Sequence, residues 1–370
     1  MAMDDVDILR KRKKEHIDIC SQEEVSHRYR YWNDIHLVHE ALPELDMADI
    51  DTSATLFGKK LQSPIIIAAM TGGFEGGKLI NRNLAEAAAR TGVGMGVGSQ
   101  RSVLSDSGML ESYSIVKEFK VPLMIGNIGA PQLIKQGKKP ALTLTQLMEL
   151  RSLIGADLMA VHLNFLQEAA QWEGDTQSKG ALAAIEALSK KMKLIAKETG
   201  AGISRETARK LLRTGIAGID VGGAGGTSFA AVEVHRARKM AQDPINPEAA
   251  ERAAASERLG TTFRDWGIPA PVSVIELREM HRTFPIIATG GICSGLDIAR
   301  AIALGANAAG LATQFLEPAM SGVDAVVREI EMLKKELCAA MLLTGSKDLE
   351  ALGRARYIIS GECAHWINRP

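Results

Sequence analysis

The chain has 370 residues, 46% of them hydrophobic, enough for one large core or two smaller ones. Lys plus Arg and Asp plus Glu both total 44, so the formal charge is zero and nothing global steers the chain towards nucleic acid or a membrane surface. Cys20, Cys293, Cys338 and Cys363 are widely spaced and form no CxxC pair, which suits a reducing cytosol rather than a disulfide framework.

Residues 1–61 form an extension ahead of the first apolar strand. The N-terminus is charged and lacks the apolar segment of a signal peptide. No run approaches the roughly 18 apolar residues of a membrane span, so a cytoplasmic protein is expected. The basic run Arg10-Lys11-Arg12-Lys13-Lys14 reads either as a solvated terminus or as an arm that folds over a site and pairs with phosphate. From residue 62 onward short apolar runs alternate with amphipathic stretches. Pro64 to Met70, Gly92 to Gly98, Pro122 to Asn127 and Leu158 to Asn164 read as the first four strands. Lys193 to Glu198, Gly218 to Gly222, Phe284 to Thr289 and Ala308 to Thr313 read as the next four. Helices are expected over Leu79 to Arg90, near Gly108 to Lys117, over Leu182 to Met192, and over Arg205 to Arg213 with Ser204 as its N-cap.

Strands alternating with helices imply a parallel sheet with crossover helices. Eight such units over roughly 250 residues predict an α/β fold, a (β/α)8 TIM barrel spanning 62–370, with an open doubly wound sheet as the alternative. Residues 240–266 hold Pro244, Pro247 and a run of Ala, Glu and Arg, and interrupt the sixth unit. An insertion after that strand reads either as a lid or mobile loop, or as a surface helix of no consequence.

The densest polar cluster is His162-Leu163-Asn164-Phe165-Leu166-Gln167-Glu168, which follows the apolar run Leu158-Met159-Ala160-Val161. A strand interior disfavours such groups, whereas the C-terminal ends of barrel strands carry active sites. An isolated His is by default a satisfied core residue; Asn164, Gln167 and Glu168 beside it favour a shared mouth. Glu168 offers the hard oxygens that Mg²⁺ prefers, but a single carboxylate leaves other ligands to the substrate. Gln167 has no useful pKa and suits positioning more than acid catalysis. Lys197, ending the fifth strand, needs an anionic partner, either a reduced flavin edge or Glu198 or Asp220. Arg101 stands beside Ser99 and Gln100 and suits an anionic substrate. Gly222-Gly223-Ala224-Gly225-Gly226-Thr227 follows the sixth strand, Gly290-Gly291-Ile292 the seventh, and Gly310-Leu311-Ala312 lies within the eighth. Barrels commonly bind phosphate in the loops after strands seven and eight, so a bound phosphate group is expected there.

These segments occur together with Arg12-Lys13-Lys14-Glu15-His16, Met70-Thr71-Gly72-Gly73, Gly98-Ser99-Gln100-Arg101, Glu173-Gly174-Asp175, Lys197-Glu198, Gly200-Ala201-Gly202-Ile203-Ser204 and Asp265-Trp266-Gly267-Ile268-Pro269. In that order, over nearly the whole chain, the set resembles the type 2 isopentenyl diphosphate isomerases, flavoenzymes with a (β/α)8 barrel. The resemblance implies FMN, Mg²⁺, NADPH as flavin reductant, interconversion of isopentenyl and dimethylallyl diphosphate without net redox change, and a homotetramer or homo-octamer. It implies that Met70, Thr71, Gly72, Ser99, Asn127, Lys197, Gly222, Thr227, Gly290, Gly291, Ile292, Leu311 and Ala312 bind FMN. Arg12, Lys13, His16, Ser99, Arg101, Asn127, Asn164 and Gln167 would face the substrate and Glu168 the metal. Gln167 and His162 would be catalytic, with the reduced flavin as acid and base and Gln167 assisting.

The chain departs from the family pattern at three places. Trp172 stands where proline is usual, Cys293 where a basic residue is common, which removes one phosphate contact, and Gly222 replaces a frequent serine, which removes a hydroxyl near the flavin. A competing reading, an FMN-dependent 2-hydroxy acid oxidase, needs a catalytic His beside an Arg pair late in the chain. His281 and Arg282 precede the seventh strand instead of ending it. A non-catalytic flavin-binding protein would keep the glycine turns but has no need of His162, Gln167 and Glu168.

Overall fold

A computed structural model of the chain describes residues 5–241 and 247–367. Its centre is a closed barrel of eight parallel strands. They are β1 (Ile65–Ile67), β2 (Gly94–Gly96), β3 (Met124–Gly129), β4 (Leu158–Leu163), β5 (Leu194–Glu198), β6 (Gly218–Asp220), β7 (Ile286–Ala288) and β8 (Ala308–Leu311). β8 pairs with β1 through Ala309↔Ile65, Gly310↔Ile66 and Leu311↔Ile67, which rules out the open sheet. Most strands are shorter than the apolar runs suggest, because their last polar and glycine residues leave the ladder to form the mouth.

Both faces of each strand are covered, so the strands are apolar throughout rather than alternating. The two faces still serve different layers. Ile66, Leu123, Ile125, Leu158, Ala160, Ile195, Ile287 and Ala308 pack together inside the barrel. Ile65, Ile67, Met159, Val161, Leu194, Ala196, Ile286 and Leu311 pack outward into the helix layer.

The extension is woven into this frame. Ala54–Leu56 and Lys59–Leu61 form a hairpin whose Leu56 and Leu61 join the inner cluster at the starts of the strands. Lys193 Nζ donates to the Phe57 carbonyl oxygen at its tip, 2.8 Å away, so the hairpin plugs the N-terminal end of the barrel. Ile35–Leu37 pairs antiparallel with Tyr357–Ile359, and Trp32 and Ile35 belong to the main core. The helix Asp5–Gln22 lies on the helix Phe229–Ala241, with Ile19 and Val25 packed on Ala231 and Val232.

The insertion contains the helix Pro247–Thr262, laid along Phe229–Ala241. Gly260 allows the close approach, since a Cβ there would strike the Ala230 carbonyl. None of its described residues lines the central cavity; Pro244 falls outside the described residues. The expected helix near Gly108 to Lys117 is broken into short turns over 107–118, with the Asp106 side chain accepting from Gly108 N. Buried Tyr113 instead turns inward and donates to the Ser99 carbonyl.

Candidate active site

Successive strand side chains alternate between faces, so the inward phase can be followed to the open end of the barrel. On β3 it runs from Ile125 to Asn127, on β4 from Ala160 to His162, and on β5 from Ile195 to Lys197. Asp220, Thr289 and Gly310 hold the same phase on the next three staves. Asn127, His162, Lys197, Thr289 and Gly310 line one cavity of about 560 Å³ at the C-terminal mouth, and Asp220, outside the lining, is bonded to Lys197 and Thr289. Leu311 has the opposite phase: it packs into the helix layer and is absent from the lining, while its neighbours Gly310 and Ala312 line the cavity. Any FMN contact at Leu311 would therefore come from its backbone, between two lining neighbours.

His162 Nδ1 lies 2.8 Å from Asn127 Oδ1. Burial, then repulsion from Lys197, Lys13, Arg12 and Arg101, pushes the ring's pKa down to about 3. His162 is thus neutral at physiological pH. With Nδ1–H donating to Asn127, Nε2 is left as an acceptor, so the ring is no store of acid protons. Unfolded His titrates near 6.5, so below that pH the unfolded chain takes up a proton that the native ring refuses. The ring's contribution to stability is full above pH 6.5 and is lost as the pH falls towards 3. Melting temperature should decline across that window, and His162→Gln should flatten the decline. An unchanged slope in the variant would place its origin elsewhere.

Asn164 Nδ2 donates to Glu168 Oε1 (2.9 Å), and Asp175 N donates to Glu168 Oε2 (2.7 Å). Burial raises the Glu168 pKa against these donors. Asn164 Oδ1 is buried without a partner. An orphaned amide oxygen beside a carboxylate is a hard-oxygen donor pair, which fits a cation that draws its remaining ligands from substrate or water. Among the described residues no group of three His, Cys, Asp or Glu forms a protein-only metal cluster.

Gln167 and His16 converge on one atom. Gln167 Nε2 donates to Glu233 Oε1 at 3.2 Å, and His16 Nε2 lies 3.0 Å from it. Arg236 Nη1 donates to Glu233 Oε2 at 2.6 Å, its Nη2 to Glu173 at 2.8 Å and its Nε to Glu15 at 3.1 Å. Burial works to raise the Glu233 pKa, but His16 and Arg236 outweigh it and hold it at about 2. This buried network ties the N-terminal helix, the loop after β4 and the helix Phe229–Ala241 together. Sequence reasoning missed Glu233 and Arg236. Their signal was a Glu and an Arg at i,i+3 inside the stretch Ala230 to Ala237, where every other residue except His235 is Ala or Val.

The basic run resolves into two kinds of residue. Lys11 and Lys14 are exposed, whereas Arg12 and Lys13 line the cavity. Lys13 Nζ donates to Gly72 O (2.9 Å), Ser99 O (2.5 Å) and Tyr113 Oη (2.6 Å). Burial, then repulsion from Arg12 and Arg101, pushes its pKa down to about 7. Arg101 Nη1 donates to Asp175 Oδ2 at 2.5 Å, so this cation also has a protein partner.

On the opposite wall Lys197 Nζ pairs with Asp220 Oδ2 at 2.8 Å, the protein partner that its burial demanded. Asp220 Oδ1 accepts from the Thr289 hydroxyl, which in turn accepts from Gly222 N at 2.9 Å. Glu198, also in the lining, accepts from the N–H groups of Gly200, Ala201 and Gly202 instead. Gly222 (φ +47°), Gly225 (+122°), Gly290 (+101°) and Gly291 (+76°) are left-handed. A Cβ at Gly290 would strike Gly223 O and one at Gly226 would strike Gly291 N, so two bare turns interlock. A cradle without side chains lets a planar ring and a phosphate approach the backbone.

Met70, Thr71, Gly72, Ser99, Thr227 and Ile292 also line the cavity. Cys293 lines it, and its thiol donates to Gly291 O at 3.4 Å. Trp172 is 38% exposed and outside the lining, so it forms no wall of the site in this structure. His281 and Arg282 are exposed and outside it as well, which removes the histidine and arginine pair that a 2-hydroxy acid oxidase needs.

The FMN-dependent dehydrogenase family matches residues 7–107 and 167–359. The isopentenyl-diphosphate delta-isomerase of Thermoplasma acidophilum is 45% identical over 96% of this chain and 98% of its own. That of Archaeoglobus fulgidus is 43% identical over 97% and 98%. A mandelate oxidase with (S)-mandelic acid superposes with a TM-score of 0.60 at 17% identity, covering 96% of this chain and 98% of the other, which speaks to the barrel alone.

Proposed function

The chain belongs to the isopentenyl-diphosphate delta-isomerases within the FMN-dependent dehydrogenase family, and from that premise we propose that it interconverts isopentenyl and dimethylallyl diphosphate in the barrel mouth. One observation carries this reading: a single cavity has a side-chain-free glycine cradle on one wall and the His162–Asn164–Gln167–Glu168 cluster on the other.

Moving the double bond requires one proton to be added at one carbon and another removed, through a tertiary cationic state. When bound and reduced, FMN supplies an electron-rich ring and an exchangeable proton beside the alkene. The residues of the chain do the rest. Met70, Thr71, Gly72, Ser99, Asn127, Lys197, Gly222, Thr227, Gly290, Gly291, Ile292, Leu311 and Ala312 would border the flavin, Leu311 through its backbone. Arg12, Lys13 and Arg101 would bring positive charge to the diphosphate, and Asn164 and Glu168 would hold Mg²⁺, whose charge would offset that of the diphosphate. Gln167, steadied by Glu233, orients the alkene, and neutral His162 accepts a hydrogen bond without competing for the proton. The N-terminal helix, through His16, keeps water from the reacting carbons. NADPH as reductant, a homotetramer or homo-octamer, and a cytoplasmic location complete the reading; they rest on family resemblance and on the spaced cysteines. No helix among the described residues is long and apolar enough to cross a membrane.

Reduced, Mg²⁺-loaded holoprotein given isopentenyl diphosphate should form the dimethylallyl isomer, and neither oxidised protein nor protein carrying 5-deaza-FMN should do so. Full turnover with the deaza analogue would remove the flavin from proton transfer. No product from the reduced, metal-loaded holoprotein would overturn the proposed activity.

A further inference from the structure

Resting on FMN as the ligand of this mouth, we propose that Arg30 is the cation that binds the FMN phosphate, in place of a basic side chain at Cys293. The chain on both sides of Arg30 is bonded to the glycine turns. His27 N donates to Gly226 O at 2.8 Å, and Trp32 Nε1 donates to Gly290 O at 2.7 Å. The Tyr31 ring covers Gly225, where a Cβ would meet it. Arg30 is therefore delivered to the turns after β6 and β7 by fixed neighbours, and its side chain lines the cavity beside Cys293.

The charge inventory points the same way. A phosphate monoester carries between one and two negative charges near neutrality. Around the turns after β7 and β8 the lining side chains Cys293, Thr313 and Gln314 are neutral. The other lining Lys and Arg residues are engaged elsewhere. Lys197 is paired with Asp220 and Lys13 is pinned to Gly72 and Ser99. Arg101 is bonded to Asp175, and Arg12 stands near Glu168 and Glu173. Arg30 has only a loose partner, with its Nη2 3.6 Å from Asp297 Oδ2 and its side chain 54% exposed. Asp297 is already served by Arg300 Nη1 at 2.8 Å and by Cys293 N at 3.1 Å. A guanidinium with five N–H donors keeps several for a phosphate, whose oxygens it matches two at a time.

The test compares FMN with riboflavin, which lacks the phosphate, in fluorescence titrations of the apoprotein. Arg30→Ala should weaken FMN by about tenfold at low salt and leave riboflavin unchanged, and the loss should shrink at high salt because the guanidinium is half exposed. Adding Cys293→Arg to that variant should restore FMN affinity. Unchanged FMN affinity in Arg30→Ala, or an equal loss for both ligands, would overturn the inference, the latter by showing that the residue serves only to pack its segment. A wild-type protein that binds no FMN would overturn the cofactor reading and this inference together, an outcome distinct from tight binding that ignores Arg30.

Discussion

Glu233→Ala should lower kcat/KM by about a hundredfold and cost about 3 kcal/mol of stability, because one carboxylate holds three other groups in place. Its Oε1 receives Gln167 and faces His16, while its Oε2 receives Arg236. Without it Gln167 loses the contact that aims it, and the buried Arg236 loses one of its three carboxylates. Steady-state kinetics read the first effect and thermal melts the second. Glu233→Gln separates them. An amide oxygen still accepts from Gln167, so rate should recover more than stability, which depends on charge opposite Arg236. Wild-type kcat/KM in the alanine variant would show that Gln167 needs no anchor.

Gly222→Ser carries the other large expectation. The family frequently has serine there, yet in this backbone Gly222 has a φ of +47° and a Cβ would overlap the Glu198 carbonyl. The carbonyl of Gly222 itself accepts from Gly200 N at 2.7 Å and Gly202 N at 3.1 Å, so the turn cannot move away without releasing the next loop. Left-handed strain and overpacking together cost about 3 kcal/mol. The variant should be purified with little flavin and a lower melting temperature instead of gaining a useful hydroxyl. Full flavin content, read from the ratio of visible to ultraviolet absorbance, with an unaltered melt would show that this turn yields easily.

The eight strands were legible because each is a short apolar run closed by glycine or a polar residue, and because nothing else in the chain repeats that way. The glycine turns were legible for a related reason: interlocking backbones leave no room for side chains, so the residue type itself reports the contact. His162 stood out as a polar group on an apolar stave, and Asn164 and Glu168 as polar groups directly after its end. Glu233 and Arg236 did not, since a charged pair on a helix is usually solvated, and only the docking of the N-terminal helix buries it. Lys197 shows a similar limit. Its need for an anion was plain, but the choice of Asp220 over Glu198 follows from strand phase, which puts Lys197 and Asp220 in register on one face, while Glu198 is taken up by the N–H groups of the next loop. The same alternation turns the Leu311 side chain into the helix layer, a distinction that a run of apolar and glycine residues conceals. The insertion was ambiguous because a helix of Ala, Glu and Arg looks alike whether it swings over a site or braces a neighbour.

The hairpin beneath the barrel has a consequence for the order of events. With Leu56 and Leu61 stopping the far end, the barrel is closed below, and the helix bearing Arg12 and Lys13 is laid across its mouth. Traffic through a blind passage is last in, first out. A flavin seated in such a passage ahead of the diphosphate would be a resident, and many turnovers would pass on one loading of cofactor.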